Sequence, residues 1–242
     1  MRTCLIFISL FISLVCGGCD AETRTRMAAR PDYRMTPNHV VETATATSTE
    51  FYLKMQKGDL KMGAEALPVM VSQHRYMSPV RAPVLEFYEV DQKAYVALTQ
   101  ESIPSIGVFG QGDAMNAWDV QLNPKLPLDL TVEYGKGRGQ LDLNGMNLDR
   151  LRIYNREGRL EIDLSAKKLD RDIVIWMNNH HGDIQLKLPP DAGAQITTIR
   201  GAEIVAENFT RNNAVFTNVN YEGAAHRIFV DVLSLSGNVT IQ

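Results

Sequence analysis

The chain has 242 residues, of which 45% are hydrophobic and 22% are charged, and its net charge is −3. This length and composition are typical of a globular protein with its own core. The chain contains no long run of lysine and arginine, which argues against a nucleic acid partner. Its three cysteines, Cys4, Cys16 and Cys19, all lie within the first 19 residues. The remainder therefore has no disulfide and no thiolate metal site.

Residues 1–19 have the pattern of an N-terminal targeting segment. Arg2 precedes an apolar run that ends at Val15 and is too short for a permanent membrane span. Two glycines then precede Cys19, which resembles the lipobox of bacterial lipoprotein signal peptides, although Cys16 stands where that family usually has leucine, valine or alanine. The resemblance implies lipidation of Cys19 and a membrane anchor on the periplasmic side of the cell envelope, and Asp20 favours the inner membrane. The alternative is an ordinary secretory signal, but its usual small-residue cleavage site is missing.

Residues 20–47 are predicted to be a flexible tether. Alanine, threonine, arginine and serine dominate this segment, which also contains Pro31 and Pro37 and few large apolar residues. Such a segment would hold the folded part of the chain away from the membrane.

Residues 48–122 are predicted to form a β-rich N-terminal half. Apolar and polar residues alternate from Phe51, and residues 83–98 are typical of a hairpin with its turn at Asp91-Gln92-Lys93. Residues 64–67 could form one helical turn ended by Pro68, and residues 100–115 are expected to be a loop. The segment contains no long amphipathic helix pattern.

Residues 123–242 repeat one pattern of strand, glycine-containing turn and strand. The period of roughly 20 residues predicts stacked coils, in which each unit buries its apolar face against its neighbours. A degenerate coil at 194–206 is expected between the third and last coils, and 210–225 is expected to be a long connection. The four clear copies are residues 128–143, 151–164, 173–188 and 227–241.

Two sets of residues define these coils. Period-two alternation assigns the inward apolar positions, and glycines at similar places in the turns permit positive φ or close approach between coils. The inward set is Leu128, Leu130, Val132, Leu141, Leu143, Leu151, Ile153, Leu160, Ile162, Leu164, Ile173, Ile175, Met177, Ile184, Leu186, Leu188, Ile228, Val230, Val232, Val239 and Ile241. The turn glycines are Gly139, Gly158, Gly182, Gly201 and Gly237.

Four segments carry a resemblance to a known family: Trp118-Asp119-Val120-Gln121-Leu122-Asn123, Pro127-Leu128-Asp129-Leu130, Gly158-Arg159-Leu160-Glu161-Ile162-Asp163-Leu164 and Arg227-Ile228-Phe229-Val230-Asp231-Val232. They resemble the bacterial toast-rack domain, akin to the C-terminal region of LiaF-like cell-wall-stress proteins. The resemblance covers residues 48–242 and implies an all-β, β-solenoid-like fold, an envelope location, no known catalytic residues and no cofactor.

Few residues are candidates for chemistry. His180 and His181 are the best metal ligands in the sequence, but adjacent side chains usually diverge and no third ligand is evident. Glu161 and Asp163 alternate on one strand face, as on a solvated sheet. The chain has no nucleophile-elbow motif. We expect no enzymatic activity.

Tyr154 and Trp176 are candidates for a binding surface, because they fall at outward positions of neighbouring coils. Tyr134 is a third aromatic residue of this group. The alternative is that the N-terminal half or the 210–225 connection covers them.

The sequence therefore predicts a non-enzymatic cell-envelope lipoprotein, a rigid β scaffold that binds a protein or another envelope component and acts in the envelope-stress response. The alternative is a solenoid that binds or cleaves polysaccharide, with Glu161, Asp163 and Trp176 in its site.

Overall fold

The structure is a computed structural model that describes residues 33–35, 39–43, 45–65, 69–77, 82–100, 116–200 and 202–242. The signal segment with Cys19, most of the predicted tether and residues 101–115 of the predicted loop lie outside these ranges. Within them the chain forms strands and no helix. The strands are β1 (Tyr33–Met35), β2 (His39–Val41), β3 (Ser48–Lys57), β4 (Asp59–Ala64), β5 (Met70–Met77), β6 (Val84–Val90), β7 (Lys93–Thr99), β8 (Asn116–Leu122), β9 (Leu128–Lys136), β10 (Arg138–Asp142), β11 (Leu148–Asn155), β12 (Arg159–Asp163), β13 (Ile173–Asn179), β14 (Asp183–Lys187), β15 (Gly193–Ile199), β16 (Val205–Ala206), β17 (Phe209–Asn212), β18 (Val215–Asn218), β19 (Arg227–Ser234) and β20 (Asn238–Ile241).

The strands form two ten-stranded sheets. Sheet 1 has the order β1-β5-β8-β4-β10-β12-β14-β20-β16, with β2 also paired to β5. Sheet 2 has the order β17-β18-β15-β19-β13-β11-β9-β3-β7-β6. Each coil contributes one strand to each sheet, and neighbouring coils pair in parallel. The all-β, solenoid-like fold predicted from the repeat is confirmed.

The core lies between the two sheets. The period-two alternation places every predicted inward residue of the four clear coils among the buried side chains. Each fully buried aliphatic side chain contributes roughly 1.5–3 kcal/mol before the entropy of ordering is subtracted. Equivalent side chains stack on successive coils because the parallel register aligns them, as it does Leu130, Leu151 and Ile175.

The spatial order of the coils differs from their order in the chain. The coils stack in the order β7–β8, β3–β4, β9–β10, β11–β12, β13–β14, β19–β20 and β15–β16. The degenerate coil at 194–206, expected between the third and last coils, therefore lies outside the last one. The reason is that β19–β20 has apolar inner positions on both strands and β16 has only two residues, so the irregular coil suits the end of the stack.

Antiparallel strands close the stack at both ends. At one end β5 pairs with β8 in sheet 1, and β6 pairs with β7 in sheet 2. The β6–β7 hairpin was predicted, and its two-residue turn has positive φ at Asp91 and Gln92, as hairpin twist requires. At the other end β18 and β17 extend sheet 2 beyond β15. Residues 210–225, predicted to be a connection, supply most of that hairpin.

Two predicted boundaries are corrected. Strands β1 and β2 lie inside the predicted tether 20–47, because their backbones pair with the outer edge of β5. The predicted halves 48–122 and 123–242 are one stack, since β3 pairs with β9 and β4 with β10. Ala64 ends strand β4 and begins no helical turn, and the other members of that predicted turn lie mainly outside the described residues.

One of the turn glycines predicted from the sequence, Gly139, is wrong. Gly137 occupies the turn, in line with Gly58 and Gly158, whereas Gly139 lies in β10 opposite Leu160. Gly137 has φ +130°, and a Cβ there would overlap the carbonyl oxygen of Gly58. The prediction for Gly201 falls outside the described residues.

A ladder of polar side chains supports these turns from inside. Tyr134, Asn155, Asn179 and Ser234 stand in register, and each donates a hydrogen bond to a turn carbonyl. The acceptor oxygens belong to Gly58, Gly158, Gly182 and Gly237, at 2.5, 2.8, 2.7 and 2.9 Å. Tyr134 is therefore a buried turn support and not part of an exposed aromatic surface.

Candidate functional site

The outer faces of the two sheets differ in chemistry. Sheet 1 presents charged and amide side chains on β10, β12, β14 and β20. Sheet 2 presents aromatic and aliphatic side chains on β3, β11, β13 and β19 among charged ones, and β9, between β3 and β11, adds Asp129 and Glu133 to this face. We call the second surface the aromatic face. It comprises Tyr52, Tyr154, Val174, Trp176, Phe229 and Leu233.

Tyr154 and Trp176 lie at the centre of the aromatic face and touch. They come from neighbouring strands β11 and β13, diagonally offset by two residues, and their ring centroids are 4.9 Å apart at 57°. Tyr154 is 39% exposed and Val174 is 42% exposed. The structure thus brings together Tyr154 and Trp176, the two residues that the sequence suggested for a binding surface. None of the described residues covers Tyr154 or Val174.

Charged side chains flank Trp176 on both sides. Arg152 is its register partner on β11, and Asp231 is its partner on β19. Both are partly exposed on the same face. A ring between a guanidinium and a carboxylate offers apolar area together with a donor and an acceptor, a combination found in interface hot spots.

Ion pairs order the β3 side of the aromatic face. Lys54 Nζ lies 3.2 Å from Glu133, and Lys93 Nζ lies 2.8 Å from Glu50. Burial, and secondarily the Glu133 carboxylate, raises the pKa of the Tyr52 phenol well above its ordinary value. The Tyr52 hydroxyl is hydrogen-bonded to Glu133, so this donor is already engaged within the face.

A shallow depression adjoins Tyr154 at the turn end of the strands. Its volume is about 410 Å³, and its lining includes Lys54, Glu133, Arg156 and His180. A partner lying on Tyr154 and Trp176 could place a polar group in this depression. Such a mixture of an apolar centre and a polar rim is typical of protein interfaces.

The metal candidates do not form a centre. The rings of His180 and His181 are 6.4 Å apart at 79°, and His181 Nδ1 contacts the Ser236 hydroxyl. Among the described residues, no cluster of three or more histidine, cysteine, aspartate or glutamate side chains could hold a metal ion.

The carboxylates of the polysaccharide hypothesis lie on the other sheet. Glu161 and Asp163 are on β12 in sheet 1, whereas Trp176 is on β13 in sheet 2, so the structure does not bring them together. Glu161 contacts Lys187, and that carboxylate raises the pKa of the lysine.

A polar groove crosses sheet 1. Its volume is about 590 Å³, and it is lined by Arg138, Arg159, Asp183, Gln185 and Thr240 among others. Asp183 already accepts a hydrogen bond from Asn238 at 2.8 Å, and Gln185 donates one to Gln242 at 3.0 Å. The groove is rich in groups that bind hydroxyls, but its lining contains no aromatic ring.

Sequence reasoning missed Arg152, Asp231 and Tyr52. The signal was present, since Arg152 and Trp176 occupy equivalent positions of successive coils, as do Asn155 and Asn179. Aligning the coils residue by residue would have revealed that row. Asp231 required the spatial order of the coils, which the sequence does not give.

Comparisons with known proteins agree with the fold. The family model for the N-terminal domain of toast_rack, DUF2154, matches residues 30–177. No curated protein matches the chain. A crystal structure from Clostridium sporogenes ATCC 15579, described as a "putative cell adhesion protein", has 21% identity and a TM-score of 0.78, and the match covers 88% of this chain and 99% of that one.

A second crystal structure, described as a "putative adhesin" from Bacteroides fragilis NCTC 9343, has 7% identity and a TM-score of 0.34 over 87% of this chain and 97% of the other. The first likeness concerns the fold alone. The described residues contain no helix that is long and apolar enough to cross a membrane.

Proposed function

The chain belongs to the toast-rack family, and from this premise we propose that it is a non-enzymatic scaffold of the bacterial cell envelope that binds a partner protein through its aromatic face. The observation that carries the proposal is the exposed Tyr154 ring packed against the partly exposed Trp176, which Arg152 and Asp231 flank. A few such aromatic and arginine residues usually dominate the binding energy of an interface.

Rigidity supports this role. The aromatic face lies on parallel strands that are paired on both sides and backed by the core. The side chains that would contact a partner are therefore held in place before binding, which lowers the entropic cost of association. A role in the envelope-stress response is part of the proposal and rests on the resemblance to LiaF-like proteins.

Photo-crosslinking in the native envelope tests the binding surface. A benzoyl-phenylalanine in place of Tyr154 should capture one reproducible envelope protein, identified by mass spectrometry. The matched control places the same group at Lys187, on the outer face of sheet 1 and outside its groove. Equal capture from both positions, or none from position 154, would contradict the proposal.

Trp176→Ala tests the energetic importance of the pair. Loss of a central aromatic contact should weaken capture of that partner by roughly 30-fold, equivalent to about 2 kcal/mol. Circular dichroism should show an unchanged fold, because the ring lies outside the core. An unchanged yield of crosslinked partner would remove Trp176 from the interface.

Anchoring through Cys19 is proposed from the lipobox resemblance. In cells labelled with a radioactive fatty acid, Cys19→Ala should abolish incorporation of label and release the protein from the membrane fraction. The Cys16→Ala variant is the control and should remain labelled. Membrane association that persists without Cys19 would contradict the lipid anchor.

The sheet 1 groove favours a second candidate function, binding of polysaccharide. Its amide and hydroxyl groups recur on successive strands about 4.8 Å apart, a regular array that a sugar polymer could follow. Retention on purified cell-wall polysaccharide that is lost in Gln185→Ala, and not in Trp176→Ala, would favour this candidate over the first.

A further inference from the structure

The two sheets end unevenly beyond the β7–β8 coil. In sheet 1, β5 follows β8, and both β1 and β2 pair with the far edge of β5. In sheet 2, β6 follows β7, and none of the described strands pairs with the far edge of β6. Sheet 2 is therefore one strand shorter than sheet 1 at this end.

The strand β6 is unusually apolar for an edge. Val84, Phe87, Tyr88 and Val90 are 38, 41, 57 and 51% exposed, so both of its faces carry accessible apolar side chains. Edge strands are normally protected by charged side chains, especially lysine, by proline, by a bulge or by very short length. β6 has seven residues without lysine or proline, and its only charged side chains are those of Glu86 and Glu89. By contrast, the edge strand β16 has two residues, and the edge strand β17 has three exposed polar ones.

The missing neighbour explains the exposure of Phe87. Its register partner on β7 is Val96, which is buried on the core side of the sheet. Phe87 therefore faces the same side as the core, yet it is 41% exposed, and none of the described strands lies beside it. An added strand would cover Phe87 and pair with the backbone groups on the edge of β6 that bond to none of the described strands.

We propose that β6 accepts one extended peptide strand from a partner polypeptide, with apolar side chains at alternate positions and a basic residue facing Glu86. The basic residue follows from charge. Glu86 makes no ion pair with any described residue, and the strand carries no positive charge, whereas Glu89 is held by the hydroxyls of Thr43 and Thr45.

The uneven ends also favour a single strand over a second folded copy. If two copies joined edge to edge through β6, the strands β1 and β2 of each copy would clash with sheet 1 of the other copy. A lone strand meets no such obstacle, because it fills the position opposite β1 and β2. This inference concerns a different surface from the aromatic face and stands independently of the proposed function.

The probe is a fluorescein-labelled nine-residue peptide in which valine alternates with lysine and threonine. Fluorescence anisotropy with the full chain in detergent should show saturable binding. The same peptide with N-methyl groups on its central amides should not bind, because N-methylation removes the backbone donors. Equal binding of both peptides, or of neither, would overturn the proposal.

Two matched variants locate the site. Val90→Lys places a charge on the β6 edge and should weaken binding by about tenfold or more, since an edge lysine opposes strand addition. Val205→Lys changes a valine of similar exposure, 59%, on the edge strand β16 at the opposite end of the stack and should leave binding unchanged. Equal loss or no loss in both variants would contradict a site on β6.

Hydrogen exchange and sedimentation complete the test. Peptide binding should slow amide exchange in residues 84–90, and Trp176→Ala should retain this effect, which separates the inference from the aromatic face. Sedimentation should show a monomer at micromolar concentration. A dimer that Val90→Lys dissociates would identify a second copy as the occupant and overturn the proposal for a peptide.

Discussion

Asn155 and Asn179 show how one side chain can stabilise two coils at once. The Asn155 amide donates both to the Gly158 carbonyl of its own turn and to Asn179 Oδ1 on the next coil, at 2.8 and 2.9 Å. Both asparagines are buried, so their hydrogen bonds form in an environment of low dielectric constant. Removing one would leave its partners buried and unsatisfied, which costs about 1–3 kcal/mol per group.

The turn glycines are predicted to tolerate no side chain where the coils meet. In Gly182→Ala the added Cβ would overlap the Gly158 carbonyl oxygen and the Asn155 amide. Backbone and a hydrogen-bonded amide must then shift, and we expect a loss of about 3 kcal/mol in the free energy of unfolding. Urea denaturation followed by tryptophan fluorescence measures this loss.

Gly223→Ala is the matched control for this prediction. A Cβ at Gly223 would meet no atom within 4 Å. Its free energy of unfolding should stay within about 0.5 kcal/mol of the unsubstituted protein, as for most surface substitutions. Similar losses in both variants would show that close approach between the coils does not determine the need for glycine.

His74 is predicted to make stability depend on pH. Its ring packs between those of His39 and Trp118, with centroids at 5.0 and 5.2 Å. Burial, and secondarily the nearby His39, lowers the pKa of His74 to about 4. Above pH 6.5 the imidazole is neutral in both states, and as the pH falls towards 4 only the unfolded chain takes up the proton. Stability should fall by on the order of 3 kcal/mol across this window.

His74→Phe isolates this contribution. The variant keeps an aromatic ring between His39 and Trp118 but cannot titrate. The free energy of unfolding, measured by urea denaturation at pH 7 and pH 4.5, should differ less between the two conditions in the variant than in the unsubstituted protein. An equal difference in both proteins would assign the pH dependence to other groups.

At the scale of the strand, the regular coils and the hairpin could be predicted because their signals are local. Alternation from Leu128 to Ile241 located the core strands, and Asp91-Gln92 located the β6–β7 turn. The strands β1 and β2 could not be found in this way. Their three residues each carry too little alternation, and they form because β5 offers a free edge.

The candidate site was predictable to the same extent. Period two put Tyr154 and Trp176 outward, but their contact depends on the register between β11 and β13. Asp231 joins them only because β19 lies beside β13, although β15 follows β13 and β14 in the chain. Which distant strands become neighbours depends on how well each whole strand pairs with an available edge. A short stretch of sequence does not show which strand pairs best.

The whole molecule should be most stable near the middle of the stack. Each coil contacts only its neighbours, so coils paired on both sides are stabilised twice and edge strands once. Amide exchange followed by mass spectrometry should therefore be slowest in β11 and β13 and fastest in β6 and β17. Uniform exchange across the stack would instead indicate a single cooperative unit.

The order of the coils has a consequence for synthesis on the ribosome. The chain emerges with β15–β16 ahead of β19–β20, yet β19–β20 occupies the place directly against β13–β14. A nascent chain that added coils as they emerged would seat β15 in the position of β19. To reach the native order, β19–β20 must be synthesised before β15 pairs with β13, or that early pairing must dissociate. Slow translation is therefore expected to increase the fraction of chains in which β15 is paired with β13.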